Sequence, residues 1–225
     1  MKSIKYFALL GLFMISQALI AQDVMELEHF DEISVTGIIQ VKLIQSDEEK
    51  LELTTNNFHR HDVKVRVEQG VLRISVTKSL IKDANVDITV FYKQIRRIKA
   101  NAGARVSAKE IITGDKLDLK ANSGAKIELE VKVNDMHTRL AEGSQMYISG
   151  STESLNVSAA SGAVFHGYEL SSDYTYSNAN TGARIRVVAN KSIEAGANTG
   201  GRVTYKGNPE DKDLNDYWGG EVDEY

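Results

Sequence analysis

The sequence predicts an all-β protein: a parallel β-helix or β-solenoid with rungs of about 20 residues, entered through a strand-rich N-terminal lobe. Three observations predict it. Six segments share one pattern centred on a glycine, and those glycines are 21, 19, 19, 20 and 18 residues apart. Apolar residues alternate with polar ones at the period of a strand, not of a helix. The 17 glycines supply turning points, and the single proline leaves nearly all backbone donors free for ladders.

Composition sets the outer limits. Hydrophobic residues make up 42% and charged residues 26%, the proportions of a folded globular protein and not of a disordered one. There is no cysteine, which excludes disulfides, thiolate nucleophiles and zinc–sulfur sites. Cohesion must come from burial and ladder hydrogen bonds. A formal net charge of −4 offers no basic footprint for nucleic acid.

The first residues have the layout of an export signal. Lys2 and Lys5 form a charged start, Tyr6 to Ile15 is an apolar run, and Ser16, Gln17 and Ala18 lead to Ala21. Cleavage is expected between Ala21 and Gln22, although Leu19 stands where a small residue is usual, which gives a signal peptide over 1–21. Losing Lys2 and Lys5 with it shifts the formal charge from −4 to −6. The run is shorter than the ~20 residues that span a bilayer, and no later segment is long and apolar enough, so no transmembrane segment is expected in the mature chain. The expected location is the periplasm, the cell surface or the extracellular space.

The N-terminal lobe follows. Ile33 and Val35, then Ile39, Val41 and Leu43, then Leu51 and Leu53 alternate as strands do. Val63, Val65 and Val67 alternate with Lys64 and Arg66, and a second run extends from Val71 to Val76. The connection Glu68-Gln69-Gly70 between them predicts a hairpin. Val86, Ile88 and Val90 make a further strand, Ile95 and Ile98 lead into the repeats, and only 57–61 and 79–85 have the character of loops.

The repeats are centred on Gly103, Gly124, Gly143, Gly162, Gly182 and Gly200. Three residues after glycine stands an apolar side chain each time: Val106, Ile127, Met146, Phe165, Ile185 and Val203. The residue directly after glycine is always small, and the residue three before it is alanine in five of six, with Leu140 the exception. On an extended chain these three positions share one face, so they are expected to fill the interior of a stack. Glycine marks a point of positive φ or close backbone approach. The Asn two before it, at Asn101, Asn122, Asn180 and Asn198, tolerates such turns. At about 4.8 Å per strand spacing, six rungs stack to roughly 29 Å, each buried against its neighbours. Gly37, in Ser34-Val35-Thr36-Gly37, looks like a degenerate further copy, which suggests that the first half is coiled as well or forms a second lobe. Independent hairpins in a β-sandwich are the alternative; six matches to one positional code argue against them.

Together, Phe30-Asp31-Glu32-Ile33-Ser34-Val35-Thr36-Gly37, Val67-Glu68-Gln69-Gly70-Val71-Leu72-Arg73-Ile74 and the recurring Ala/Ser-x-x-Gly-Ala units resemble the autotransporter adhesin head (GIN) domain family over about residues 30–206. The resemblance implies a right-handed parallel β-helix-like domain in exported bacterial proteins, with no catalytic residues to carry over. It divides the chain into a lobe over 30–98, a glycine-repeat lobe over 99–206 and a tail over 207–225. This sequence departs from the pattern at Leu140-Ala141-Glu142-Gly143 and in its acidic, aromatic tail.

Exposed positions are where function belongs. The residue two after glycine is basic in four rungs, at Arg105, Lys126, Arg184 and Arg202, with Gln145 and Val164 between. On a stack these line one outer column flanked by Asn101, Asn122, Asn180 and Asn198. Guanidinium and amide groups suit bidentate recognition of an anionic or hydroxyl-rich surface such as a polysaccharide; the plainer reading is a solvated face. His59 and His61 lie two apart in the 57–61 loop, a spacing that would share one face on a strand, with no third ligand in view for a metal. Asp115, Asp118, Glu128 and Glu130 are candidate acids, but Glu128 and Glu130 on one face beside Lys120, Lys126 and Lys132 fit a charge ladder better than a catalytic pair. No nucleophile elbow, phosphate loop or calcium loop is present, and no cofactor is implied. The tail, with Pro209, Tyr217 and Trp218, is expected to fold back over the open end of the solenoid. The expected function is therefore an exported, non-enzymatic, adhesin-like module that binds a polysaccharide or an envelope or surface protein. The alternatives are a polysaccharide hydrolase or lyase on the same scaffold, and a periplasmic module that pairs with a protein along a strand edge.

Overall fold

The computed structural model describes residues 23–56, 62–76 and 85–225. Strands make up 71% of them, no helix occurs among them, and they wind into a β-solenoid of about 7 turns with rungs about 19 residues apart. The export signal over 1–21, the 57–61 segment with His59 and His61, and residues 79–84 of the second expected loop lie outside the described residues. Asn85, expected in that loop, begins a strand.

The chain opens with β1 (Asp23–Glu26), β2 (Glu32–Thr36) and β3 (Gln40–Gln45). β4 (Lys50–Asn56), β5 (Val63–Glu68), β6 (Val71–Val76) and β7 (Asn85–Tyr92) follow. β8 (Arg97–Asn101) and β9 (Arg105–Ala108) begin the glycine repeats. Stacking does not follow chain order here. β2 pairs in parallel with β6 on one side and β8 on the other, and β3 lies likewise between β7 and β9. The first half is thus coiled too, with the later coil of β6 and β7 outside the earlier one of β2 and β3. Buried rows cross all three coils: Ile74, Val35 and Ala100 in one, Ile88, Val41 and Val106 in another. β5 and β6 form the expected hairpin through Gln69-Gly70. β4 runs antiparallel to β7, and β1 to β4, so antiparallel strands close this end of the stack over Leu51 and Leu53.

β10 (Ile112–Ala121), β11 (Lys126–Leu140), β12 (Gln145–Ala159), β13 (Val164–Asn180), β14 (Arg184–Val188), β15 (Ser192–Asn198) and β16 (Arg202–Lys206) stack in parallel, in register but for one shift between β12 and β13. Each coil has an inbound arm that runs into the glycine corner and an outbound arm that leaves it. At the first corner Ala102 has φ +54° and Gly103 φ +79°, and the Ala104 N–H donates to the Asn101 carbonyl at 3.2 Å. Two successive positive φ values closed by that bond make a type I′ turn. The corners align along the stack: the Gly103 N–H donates to the Ser123 carbonyl at 3.0 Å, and the Gly124 N–H to the Glu142 carbonyl at 2.9 Å. The tolerant Asn does not carry the left-handed conformation. That falls on the next residue, such as Ser123 or Thr181, while Asn122 donates its amide to Asn101 at 3.1 Å.

The interior follows the positional code. Ala100, Ala121, Leu140, Ala159, Ala179 and Ala197 are all buried, as are the apolar residues three after glycine, with Phe165 at 0% exposure. The far bends of the coils bury hydroxyls that satisfy backbone there. Thr152 Oγ1 donates to the Asn134 carbonyl at 2.9 Å, and Thr175 Oγ1 to the Val188 carbonyl at 3.2 Å.

The tail does not fold back. It makes another coil: β17 (Asp211–Tyr217) pairs in parallel with β15, and β18 (Glu221–Glu224) with β16. Trp218 (φ +49°) and Gly219 (φ +75°) form the same corner, closed by the Gly220 N–H on the Tyr217 carbonyl at 2.9 Å. Trp218 is 88% exposed and covers nothing. Gly219 lies 19 residues after Gly200, so the period was present in the sequence; Asp216, where the other coils have Ala or Leu, concealed it.

Candidate functional site

On each outbound arm the residues two, four and six after glycine face outward, because alternate side chains of a strand take opposite faces. The first of these rows contains Arg105, Lys126, Gln145, Val164, Arg184 and Arg202 in continuous register. All four basic residues expected to form a column share it, in two pairs separated by Gln145 and Val164. Two of them are engaged by acids. Lys126 Nζ lies 2.9 Å from Glu128, and Arg202 pairs with Glu221 and, at 3.3 Å, with Asp223. Arg105 and Arg184 have no acidic partner among the described residues. The four asparagines border this row across the corner, with amides turned to one another or to neighbours: Asn101 and Asn122 bond directly, Asn180 donates to Asn178, and Asn198 accepts from Thr199 at 2.9 Å.

The next two rows enclose an open groove of about 870 Å³. Its floor and walls include Glu128, Glu130, Tyr147, Ser149, His166, Tyr168, Glu169, Arg186, Thr204 and Tyr225. One row builds a ladder of rings and cations. The Tyr147 and His166 rings stack with centroids 4.2 Å apart and planes 6° from parallel. Lys126 lies over the Tyr147 ring at 4.5 Å, and Arg186 reaches the His166 Nδ1 at 3.0 Å. Burial, then Arg186 and Lys126, hold the His166 imidazole below its ordinary pKa. A second cluster closes the groove: Lys206 lies 4.4 Å from the Tyr168 ring centre and 4.3 Å from that of Tyr225. Burial pushes the Tyr168 phenol upward.

A β-bulge supplies one of these side chains. β13 loses register against β12 between Tyr147 and Ser149, so Ile148 faces both Gly167 and Tyr168. A side chain at Gly167 would meet the Phe165 ring at 2.4 Å and the Arg186 carbonyl at 2.9 Å, which fixes glycine there. The extra residue brings Tyr168 and Glu169 outward in succession. It also accounts for the rung of 20 residues between Gly162 and Gly182, against 19 for the two before it. That one-residue excess was the available sequence signal for the groove; the rows that enclose it lie two and four positions beyond the basic one.

The candidate acids are dispersed. Asp115 accepts from Asn134 at 2.8 Å and Asp118 from Arg97 at 3.1 Å, on a different part of the coil. Glu128 and Glu130 border the groove, and Glu130 shares a row with Ser149 and Glu169. Among the described residues no group of three His, Asp or Glu side chains converges as a metal-binding set.

In sequence, residues 29–209 match the family described as "Putative auto-transporter adhesin, head GIN domain". No curated protein matches the chain. Solved structures share its fold. A putative adhesin from Bacteroides fragilis NCTC 9343 superposes with a TM-score of 0.81 at 17% identity, covering 91% of this chain and 96% of that one. A putative adhesin from Parabacteroides merdae ATCC 43184 gives 0.74 at 16% identity, covering 91% and 95%. A protein from Parabacteroides distasonis ATCC 8503 described as a putative lipid binding protein gives 0.72 at 17% identity, covering 91% and 96%.

Proposed function

Since the chain belongs to the auto-transporter adhesin head GIN domain family, we propose that it is an exported, non-enzymatic binding module that holds a saccharide chain in the groove of its outbound face. The Lys2, Lys5 and apolar leader supports export to the periplasm or cell surface. The observation that carries the binding reading is the groove itself. Its volume of about 870 Å³ lies within the ~300–1,000 Å³ of ligand sites, and it combines aromatic walls with convergent polar groups. Those groups stand on paired strands, so little ordering cost accompanies binding.

Lys126, Arg186 and Lys206 occupy ring faces of Tyr147, His166 and Tyr168 or pair with their polar atoms. The ligand therefore meets ring edges, phenol hydroxyls and carboxylates, a surface suited to sugar hydroxyls. Arg105, Lys126, Arg184 and Arg202 stand in the neighbouring outward row, with Asn101, Asn122, Asn180 and Asn198 beyond the corner. A lipid, the class in the description of one Parabacteroides distasonis structure as a putative lipid binding protein, would require an apolar tunnel; here Met146, Ile148 and Phe165 fill the interior at 0–2% exposure. Protein pairing along the last coil is opposed by Asp211, Asp213 and Asp216 on that edge.

A second reading, polysaccharide hydrolysis, has one observation in its favour. Glu130 and Glu169 stand in one row two coils apart, about 9.6 Å along the stack, close to the ~6.5–9.5 Å that separates the carboxyls of inverting glycosidases. One experiment separates the two. The purified protein is screened on a glycan array, and hits are titrated and incubated to look for release of oligosaccharides. Binding without cleavage, weakened about tenfold or more by Tyr168→Ala, supports the module. Cleavage abolished by Glu130→Gln or Glu169→Gln replaces it with the hydrolase, and binding indifferent to Tyr168→Ala and Tyr147→Ala removes the groove.

A further inference from the structure

The inbound arms carry a second charged surface. Lys99, Lys120 and Arg139 are register partners on three successive coils, one cation per strand spacing of about 4.8 Å. None has an acidic partner among the described residues. Like charges directly opposed on neighbouring strands repel. The adjacent outward row shows how this fold neutralises charge elsewhere. There Arg97 lies between Glu32, at 2.6 Å, and Asp118, at 3.1 Å. A shallow hollow of about 260 Å³ lies between the two rows, bordered by Arg97, Lys99, Asp118, Lys120, His137 and Arg139. Beyond Arg139 the cationic row continues with Ser158 and Asn178, which are uncharged hydrogen-bonding side chains. The result is a local excess of positive charge on a chain whose net charge is −4.

We propose that Lys99, Lys120 and Arg139 form a binding track for a linear acidic polysaccharide bearing a carboxylate on each sugar, separate from the outbound groove. The spacing selects this ligand. A two-fold polyuronate chain turns every second carboxylate to the same side, so one lying along the stack presents carboxylates about two strand spacings apart to Lys99 and Arg139, with Lys120 between them. Arg139 accepts a carboxylate through two parallel N–H donors, and the lysines act as point charges. Ser158 and Asn178 then meet hydroxyls of the next sugars. A duplex nucleic acid would need a wider basic surface than one row of three, and a flat anionic membrane would not profit from the axial spacing.

The test is affinity electrophoresis of the full chain in gels containing polygalacturonate, fully methyl-esterified polygalacturonate or neither, together with sedimentation on phosphatidylserine vesicles. Retardation by the free acid and not by the ester is expected, with weakening as salt rises. The variant K99Q/K120Q/R139Q should bind about tenfold more weakly, the effect of three surface ion pairs together. K120R keeps the charge and should retain binding, and unchanged melting of each variant shows that the fold is kept. Tyr168→Ala, which removes one aromatic side chain of the outbound groove, should leave retardation intact; its loss there would move polyuronate binding to the groove and overturn the track. Equal retardation by the ester, unchanged binding by the triple variant, or vesicle binding without polymer binding would each overturn it too.

Discussion

Two glycines of one coil differ in why they are glycine, and substituting alanine at each separates the reasons. Gly143 is the second corner residue, with φ +68° and nothing within 4 Å of where a Cβ would stand. Alanine there pays only for the left-handed conformation, about 1 kcal/mol, part of which is returned by a stiffer unfolded chain. Gly150 sits at a bend of β12 with φ +107°, paired with Val131 of the preceding coil. A Cβ would stand 2.0 Å from the Val131 carbonyl oxygen and 3.0 Å from that residue's carbonyl carbon and amide nitrogen. These are backbone atoms inside a ladder, so the coils must separate locally. Backbone strain of about 1–3 kcal/mol and overpacking of about 1–3 kcal/mol add to about 4 kcal/mol for Gly150→Ala. For a chain of this size about 1 kcal/mol corresponds to about 2–4 °C in Tm. Gly143→Ala should lower the midpoint by a few degrees and Gly150→Ala by about 10 °C or more, read by far-UV circular dichroism and by urea titration. Gly124→Ala, with φ +70° and the same open surroundings, should repeat the Gly143 result. Equal losses at Gly143 and Gly150, or the larger loss at Gly143, would refute close approach of the coils as the reason for Gly150.

Three further predictions concern the core, the groove and the last coil. Phe165→Ala removes the largest of the side chains three after glycine, at 0% exposure, and should cost about 3–5 kcal/mol in urea unfolding, whereas Val106→Ala should cost less. His166 is held below its ordinary pKa in the folded chain, so its neutral form contributes stability that is present above the unfolded value near 6.5 and is lost as pH falls through the lower folded value. The wild type should therefore lose more stability than His166→Gln between about pH 7.5 and about pH 5; parallel pH profiles would show that the ring ladder does not constrain the imidazole. Trp218→Asn places a residue that favours positive φ at the exposed corner, and should leave Tm unchanged or slightly raised. A clear loss of stability would mean that Trp218 covers the end of the stack after all.

The candidate site was legible in part. The basic row at Arg105, Lys126, Arg184 and Arg202 follows from counting two residues past each glycine, because register and alternation place equivalent positions side by side. Its chemistry was not legible. Whether Lys126 is free or held depends on Glu128, two residues along the same strand, and on Tyr147, twenty-one residues away on the next coil. The same holds for Lys99, Lys120 and Arg139, whose isolation shows only when Asp118 is seen to serve Arg97. Glu169 was beyond sequence reading: seven residues after Gly162 it would face inward by alternation, and the bulge at Gly167 and Tyr168 turns it outward instead.

The sequence by itself determined the rung: where each coil turns, which side chains enter the interior, and that β-strands repeat at about 19 residues. These properties are local. A type I′ corner is decided within four residues, and alternation within a strand is decided by the pleat. Only the tertiary structure decided that β6 and β7 stack outside β2 and β3, and which outward rows enclose a groove. Those outcomes rest on contacts between segments far apart in the chain, where backbone ladders accept almost any outward side chain and so leave no local trace of their partners.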